Sequence, residues 1–259
     1  GLAPDGTPHL TYRDAKEDVV KHAVRLGDGW QIDVVESSPW WYGATSTAVD
    51  AEGVPHIAYA APGGARYAVR SGGAWAIEIL DGNQETHTSL ALDADGDPHI
   101  ALWDWSTLAV RYEAREPGGW RSDTVDRVAQ VGRHTSLALD GAGSPHAAYV
   151  EYHRSGELRY ARAEGPAWRA ERVDRIGAAG GYPSLALDAA GAPHIGYYDG
   201  REGDLAYATW AAGTWITGTV DAVGDTGLFA SLALDAAGRP RIAYYDAAQG
   251  DLRFAAANG

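Results

Sequence analysis

Residues 184–199 read SLALDAAGAPHIGYYD, and the stretch comes back along the chain as SLALDAAGRPRIAYYD at 231–246, SLALDGAGSPHAAYV at 136–150 and SLALDADGDPHIALWD at 89–104. Aligning on the dipeptide after the glycine turn finds Pro8, Pro55, Pro98, Pro145, Pro193 and Pro240, spaced 47, 43, 47, 48 and 47 residues apart. A second anchor falls at Trp30, Trp75, Trp120, Trp168 and Trp215. A unit of about 45 residues is the length of one four-stranded propeller blade.

The unit reads as strands. SLALD alternates small or polar residues with leucine, the period of a pleated strand. DAAG puts Asp at the first and Gly at the fourth position of a type I turn, where each residue suits the backbone. PHIGYYD is a second strand with Pro at its start, where no ladder donor is lost. GDLAYA makes a third and WITGTV a fourth. We name these four positions a, b, c and d. No segment carries a convincing helical period. The expected fold is all-β, a six-bladed β-propeller of four-stranded antiparallel blades, with residues 1–259 as a single domain. Copy 1 has only Gly1, Leu2 and Ala3 where strand a belongs, and copy 6 lacks the Trp strand, so the terminal blades are expected to be incomplete.

Of 259 residues, 45% are hydrophobic, and the formal net charge is −14, which argues against nucleic acid as a partner. Residues 111–175 hold 11 of the 21 Lys and Arg against 10 Asp and Glu, so one sector is near neutral and the remainder strongly acidic. Cysteine is absent, which excludes disulfides and thiolate chemistry. No run of 18 apolar residues exists, so no membrane insertion is expected. The lack of any Met makes residue 1 unlike a natural start, and a mature, secreted, cell-surface or periplasmic protein is the expectation.

The unit SLALDxxGxPHIxYYDxxxGDLxYA resembles the β-propeller repeats of bacterial secreted proteins, and its first hairpin is similar to the VAVD-x-x-G hairpin of NHL-type propellers. The resemblance covers nearly the whole chain and implies fold without function, since propellers host both binding modules and enzymes. The Ser-x-Asp-x-Gly-x-x-Trp box of sialidases is absent.

A serine, an aspartate and a histidine recurring in every copy invite a catalytic or metal-binding reading. Strand direction argues for architecture. The a–b and c–d turns share one rim of each blade, and the b–c and d–a loops share the other. The recurring Asp and His9, His56, His99, His146 and His194 fall on the first rim, with Arg241 in the sixth place. Whatever every blade repeats is what every blade needs to fold. DADGD at 93–97 resembles the start of a calcium loop, but its Gly comes too early and no acidic residue closes it. No metal and no cofactor are expected.

Function is sought where the copies differ, on the second rim. Two residues before the Ser of strand a the chain offers Ala44, His87, His134, Tyr182 and Phe229, expected to converge. The entering loops add Trp40, Trp41, Tyr42 and Arg133, and the b–c loops add Trp103, Trp105, Tyr152, His153 and Arg154. The repeated Trp residues, with Trp210, are read as packing between blades. The unrepeated ones, flat faces beside charged groups, suit the C–H faces and hydroxyls of a sugar.

The first functional expectation is therefore a lectin-like carbohydrate-binding module, with carbohydrate or another small polar ligand as partner. The alternative is an enzyme on the same rim. His87, His134, Tyr182 and Arg154 would then serve proton abstraction and elimination on a uronic-acid polysaccharide, with Arg stabilising the enolate-like charge. Asp14, Asp104, Glu151, Asp199 and Asp246 leave room for a two-carboxylate glycoside hydrolase. A protein–protein interaction scaffold is the non-catalytic third reading.

Overall fold

The structure is a computed structural model. It describes residues 1–37, 44–80, 85–127, 131–152 and 156–257, with only the backbone described at 85, 86 and 131–133. The described residues form six antiparallel sheets and no helix. The first holds β1 (His9–Asp14), β2 (Val19–Leu26) and β3 (Gly29–Ser37). The second holds β4 (Thr45–Val49), β5 (Pro55–Ala61), β6 (Gly64–Ser71) and β7 (Ala74–Ile79). The third holds β8 (Glu85–Leu92), β9 (Pro98–Asp104), β10 (Ala109–Glu116) and β11 (Gly119–Asp126). The fourth holds β12 (Val131–Leu139), β13 (Pro145–Glu151), β14 (Glu157–Glu164) and β15 (Ala167–Arg175). The fifth holds β16 (Gly181–Leu187), β17 (Pro193–Asp199), β18 (Asp204–Ala211) and β19 (Thr214–Asp221). The sixth holds β20 (Thr226–Leu234), β21 (Pro240–Asp246) and β22 (Asp251–Ala256). Each sheet is one copy of the repeat, here called a blade. The first and last have three strands, as expected from the sequence.

The chain divides into two compact units, residues 1–107 with 111–123 and residues 108–110 with 124–259. In each, the core lies in layers between successive blades. In the second unit one layer joins Leu158, Tyr160 and Val173 of blade 4 to Leu185, Ile195 and Tyr197 of blade 5. The next joins Leu205 to Leu232, Ile242 and Tyr244 of blade 6. In the first unit Val20 and Val35 meet Ile57 and Tyr59. Each fully buried Leu, Ile or Tyr contributes on the order of 1.5–3 kcal/mol, so the layers supply most of the cohesion. Strand b is buried along nearly its whole length, as in β13 and β17, whereas strand d is mostly exposed, as in β19.

The repeated polar residues are structural. Asp188 caps its turn: its Oδ1 accepts the N–H groups of Ala190 and Ala192 at 2.8 Å each, and Gly191 sits at φ +79°. Asp93, in the calcium-like DADGD, does the same for Asp95 at 3.0 Å and Asp97 at 2.9 Å. The repeated His stands between this Asp and a Tyr of strand c. His56 Nε2 lies 3.3 Å from Asp50 Oδ2, so Nε2 donates and Nδ1 accepts the Tyr67 hydroxyl at 2.5 Å. His99, His146 and His194 bond Tyr112, Tyr160 and Tyr207 in the same way. The Ser of strand a is a latch between blades. Ser46 Oγ accepts Leu90 N–H at 2.9 Å, Ser136 accepts Leu185 N–H at 3.0 Å, and Ser184 accepts Leu232 N–H at 2.8 Å. Strand b adds another tie. Tyr149, Tyr197 and Tyr244 donate to the acids that close the preceding strand d, Asp126, Asp174 and Asp221, at 2.7, 2.6 and 2.6 Å.

Trp75, Trp120 and Trp215 pack between blades, as expected, whereas Trp30 in blade 1 departs from that expectation, 42% exposed beneath Arg25 of its own blade. Trp75 meets His22 edge-on at 5.3 Å, Trp120 meets Tyr67 at 5.3 Å and Trp215 meets Tyr160 at 5.1 Å. No helix of the described residues is long and apolar enough to cross a membrane. No group of three or more His, Cys, Asp or Glu among them is placed to hold a metal ion.

Candidate functional site

On the second rim the strand a ladders are interrupted. Register shifts occur between Arg133 and Ser136, Gly181 and Ser184, and Leu228 and Ser231. Within each shift one residue adopts the left-handed conformation: His134 at φ +53°, Tyr182 at +54° and Phe229 at +54°. Glycine is the residue that fits this backbone, and a bulky side chain there costs about 1–2 kcal/mol. A bulge of this kind turns a side chain out of the alternation of its strand.

Here it turns three aromatic rings onto one another in the second unit. His134 stacks on Tyr182 with centroids 4.1 Å apart and planes at 26°, and Tyr182 meets Phe229 at 4.5 Å. Tyr245 extends the row, 6.4 Å from Phe229. Aromatic pairs return about 0.5–1.5 kcal/mol each, which roughly offsets the backbone cost. Tyr152 braces the row from the b–c loop, its hydroxyl 2.8 Å from His134 Nδ1. The Tyr182 N–H reaches the same nitrogen at 3.5 Å. Both donors face Nδ1, so the network assigns the hydrogen of the neutral ring to Nε2. Gly181 is needed for this closeness: a Cβ there would stand 2.7 Å from His134 Nδ1 and 3.1 Å from the Tyr152 oxygen.

The convergence expected of His134, Tyr182 and Phe229 is thus present in the second unit. Tyr182 is partly buried, stacked on His134 and tilted against Phe229, while Phe229 is 62% exposed. In the first unit His87 is half-buried on β8. Trp103 is buried, and Trp105 stands edge-on to it at 5.2 Å with half its surface exposed. Trp40, Trp41, Tyr42, His153 and Arg154 lie outside the described residues, as does the side chain of Arg133. Sequence reasoning left Tyr245 and Gly181 aside. Tyr245 is half of an ordinary YYD copy, and Gly181 is an ordinary loop glycine until its neighbours are seen.

The rim carboxylates have structural work. Asp14 accepts the N–H groups of Lys16 and Glu17 at 2.9 and 3.2 Å and the Lys21 ammonium at 2.8 Å, and these hydrogen bonds hold it below the usual carboxylate range. Burial alone would raise the Asp104 carboxyl, but the hydroxyls and N–H groups of Ser106 and Thr107, at 2.6–3.2 Å, together lower it. Asp199 is bound by Arg201, and Asp246 caps Ala248 and Gln249 and pairs with Arg253 at 2.8 Å. Glu151 is buried. A general acid of a glycosidase needs a raised pKa, the opposite of the trend at Asp14 and Asp104.

Solved structures with the same fold decide the architecture. The SapL1 lectin in complex with a methyl fucoside superposes with a TM-score of 0.71 at 12% identity, covering 99% of this chain and 91% of that one. The fungal Aleuria aurantia lectin, described as a six-bladed β-propeller with a fucose recognition mode of its own, gives 0.63 at 14% identity over 98% and 93%. The chain is a six-bladed β-propeller. An ulvan lyase of polysaccharide lyase family 25 superposes at 0.68 and 13% identity, covering all of this chain and 81% of the lyase. At such identities the likeness is one of fold. No protein-family model and no curated protein matches the chain.

Proposed function

We propose that this propeller binds carbohydrate through its second rim, in the manner of a lectin. The observation that carries the reading is the row His134–Tyr182–Phe229. Three blades hold a non-glycine residue in a left-handed backbone and spend that cost on presenting aromatic rings. Strain of this kind gathers at functional sites. Phe229 offers an open face for a sugar ring, and the hydroxyls of Tyr182 and Tyr152 supply polar contacts at its edge. Trp105 offers a second exposed ring in the first unit. Two of the structural neighbours carry fucose lectin names, which supports the ligand class. On this reading the protein works outside the cytoplasm, as the bacterial secreted propellers that its repeat resembles. It needs no cofactor and takes neither nucleic acid nor membrane as partner.

The test is a glycan array followed by calorimetry. Phe229→Ala should weaken the best glycan at least tenfold, about 1.4 kcal/mol, with the melting temperature little changed. An array without a single binder would end the reading.

A second reading has one observation in its favour. His134 and Tyr152 are within hydrogen-bond reach, the geometry of an acid–base pair, and one structural neighbour is a polysaccharide lyase. Incubation with uronic-acid polysaccharides would then release unsaturated uronide ends, and His134→Ala would abolish the release.

A further inference from the structure

Away from the rim, the junction of blades 4 and 5 departs from a lock that the repeat builds between blades 1 and 2 and between blades 2 and 3. Three residues after the strand d Trp stands an acid: Asp33, Glu78, Asp123 and Glu171. Five residues before that Trp stands an arginine: Arg25, Arg70 and Arg115. Each arginine lies over the Trp of its own blade, 5.8, 5.9 and 5.5 Å from the ring centre. At the junctions of blades 1 and 2 and of blades 2 and 3 the acid meets the next blade's arginine. Arg70 bonds Asp33, and Glu78 Oε2 takes Arg115 at 2.5 Å and the Trp120 indole N–H at 2.9 Å.

Between blades 4 and 5 the arginine is missing. Its place in blade 5 is taken by Trp210, and in blade 4 by Ala163. Glu171 keeps the indole bond, from Trp215 Nε1 at 3.1 Å, and gains no guanidinium from blade 5. Trp210 instead stands edge-on to Trp215, 5.5 Å away. The change leaves a cleft of about 310 Å³ between Tyr160, Arg162, Arg169, Glu171, the turn at 190–193 and Trp210. It opens beside the a–b turn, at the end of β16 opposite Tyr182, so it is separate from the aromatic row.

We propose that this cleft binds one uncharged polyhydroxylated ring of pyranose size. The volume is at the small end for ligand sites and suits a single ring. Register pairs Arg162 with Arg169 and Tyr160 with Glu171, which puts all four side chains on one face of the blade. Glu164 pairs with both arginines, Arg162 at 2.9 Å and Arg169 at 3.7 Å. Arg169, the more loosely held of the two, stands on the same face as the carboxylate of Glu171. The guanidinium only donates and the carboxylate only accepts. Neighbouring hydroxyls of a sugar both donate and accept, so two of them satisfy the pair together while the ring's C–H face lies on Trp210. The matched charges favour a neutral ligand over an anion. Within the same unit the junction of blades 5 and 6 has Gly218 at the acid position and forms no such pair.

The inference shares only its ligand class with the carbohydrate reading, and the experiment separates the two. Methyl glycosides of neutral hexoses and 6-deoxyhexoses are titrated into ¹⁵N-labelled protein, following the indole N–H of Trp210 and, in Trp210→Arg, that of Trp215, which bonds Glu171. A saturable shift is expected, weakened at least tenfold by Glu171→Gln and by Trp210→Arg, and unchanged by Phe229→Ala. Trp210→Arg rebuilds the lock of the junctions between blades 1 and 2 and blades 2 and 3, so it should fill the cleft with the melting temperature kept or raised. The inference falls if no glycoside moves the Trp210 signal. It falls equally if Trp210→Arg binds as the parent does, or if uronates bind better than neutral sugars. Loss with Phe229→Ala alone would uphold the rim and overturn the cleft, and loss with Glu171→Gln alone the reverse.

Discussion

Replacing Tyr207 by Phe would remove one oxygen and leave the Nδ1 of His194 without the hydroxyl it accepts. An orphaned acceptor costs about 1–3 kcal/mol when fully buried, and at the partly buried His194 urea unfolding should show a loss at the low end of that range. Blade 6 shows how the repeat manages the same change: Phe254 holds the Tyr place, and the His is replaced by Arg241, which bonds Asp235 Oδ2 at 2.9 Å. Blade 1 departs otherwise, with His22 in the Tyr place, its Nε2 2.9 Å from His9 Nδ1. Burial, with the nearby His9, holds the His22 imidazole down at about 4 from its ordinary 6.5. Between those values the unfolded chain takes up a proton that the folded chain refuses, so stability contributed by neutral His22 is lost as pH falls through that window. His22→Tyr should flatten this part of the pH profile, read as urea midpoints at pH 7 and pH 4.5. The spacing of the histidines made their structural role legible. Their Tyr partners were not, because a hydrogen bond across the b–c hairpin depends on register, which a repeat pattern alone does not fix.

At the scale of the element, the strand a bulge is where sequence and structure part. SLALD announces a strand, and nothing in GYPS or LFAS announces a left-handed residue, since neither Tyr182 nor Phe229 is a type that such a backbone selects, and His134 in RHTS is a type enriched there but far more often found elsewhere. Their meeting was legible only as a shared repeat position. The stacking and the bracing by Tyr152 follow from the bulge. The b–c turns are a similar case: Asp14, Asp104, Asp199 and Asp246 look like loose rim carboxylates in sequence, yet each caps the turn it begins. Gly181→Ala tests the rim element directly. Its Cβ would meet His134 Nδ1 at 2.7 Å, so His134 and Tyr152 must separate. We expect glycan affinity at this rim to fall at least tenfold, with the circular dichroism of the sheets unchanged. Equal affinity would show that the row plays no part in binding.

At the scale of the whole molecule, the period of the repeat and its Trp anchors carried the fold, because within each unit successive blades bury apolar faces against one another through residues at repeated positions. The charge is the property that no repeat explains. At −14, the chain sets up a field that resists any polyanion, and the near-neutral sector at 111–175 relieves it only locally. A neutral glycan feels little of this field, so its affinity should stay within about twofold between 20 mM and 500 mM salt. A uronate or sulfated polysaccharide must be brought against the field, and added salt screens the repulsion over roughly 10 Å at 0.1 M and less above it. Its binding, or its turnover if the protein is a lyase, should therefore rise with salt before local ion pairs weaken. Calorimetry of one neutral and one anionic glycan across that range reads the two slopes. A flat neutral slope with a rising anionic one fits recognition by rings and hydroxyls, whereas affinity for the anion that falls from the lowest salt upward would mean that clustered arginines, and not aromatic faces, make the contact.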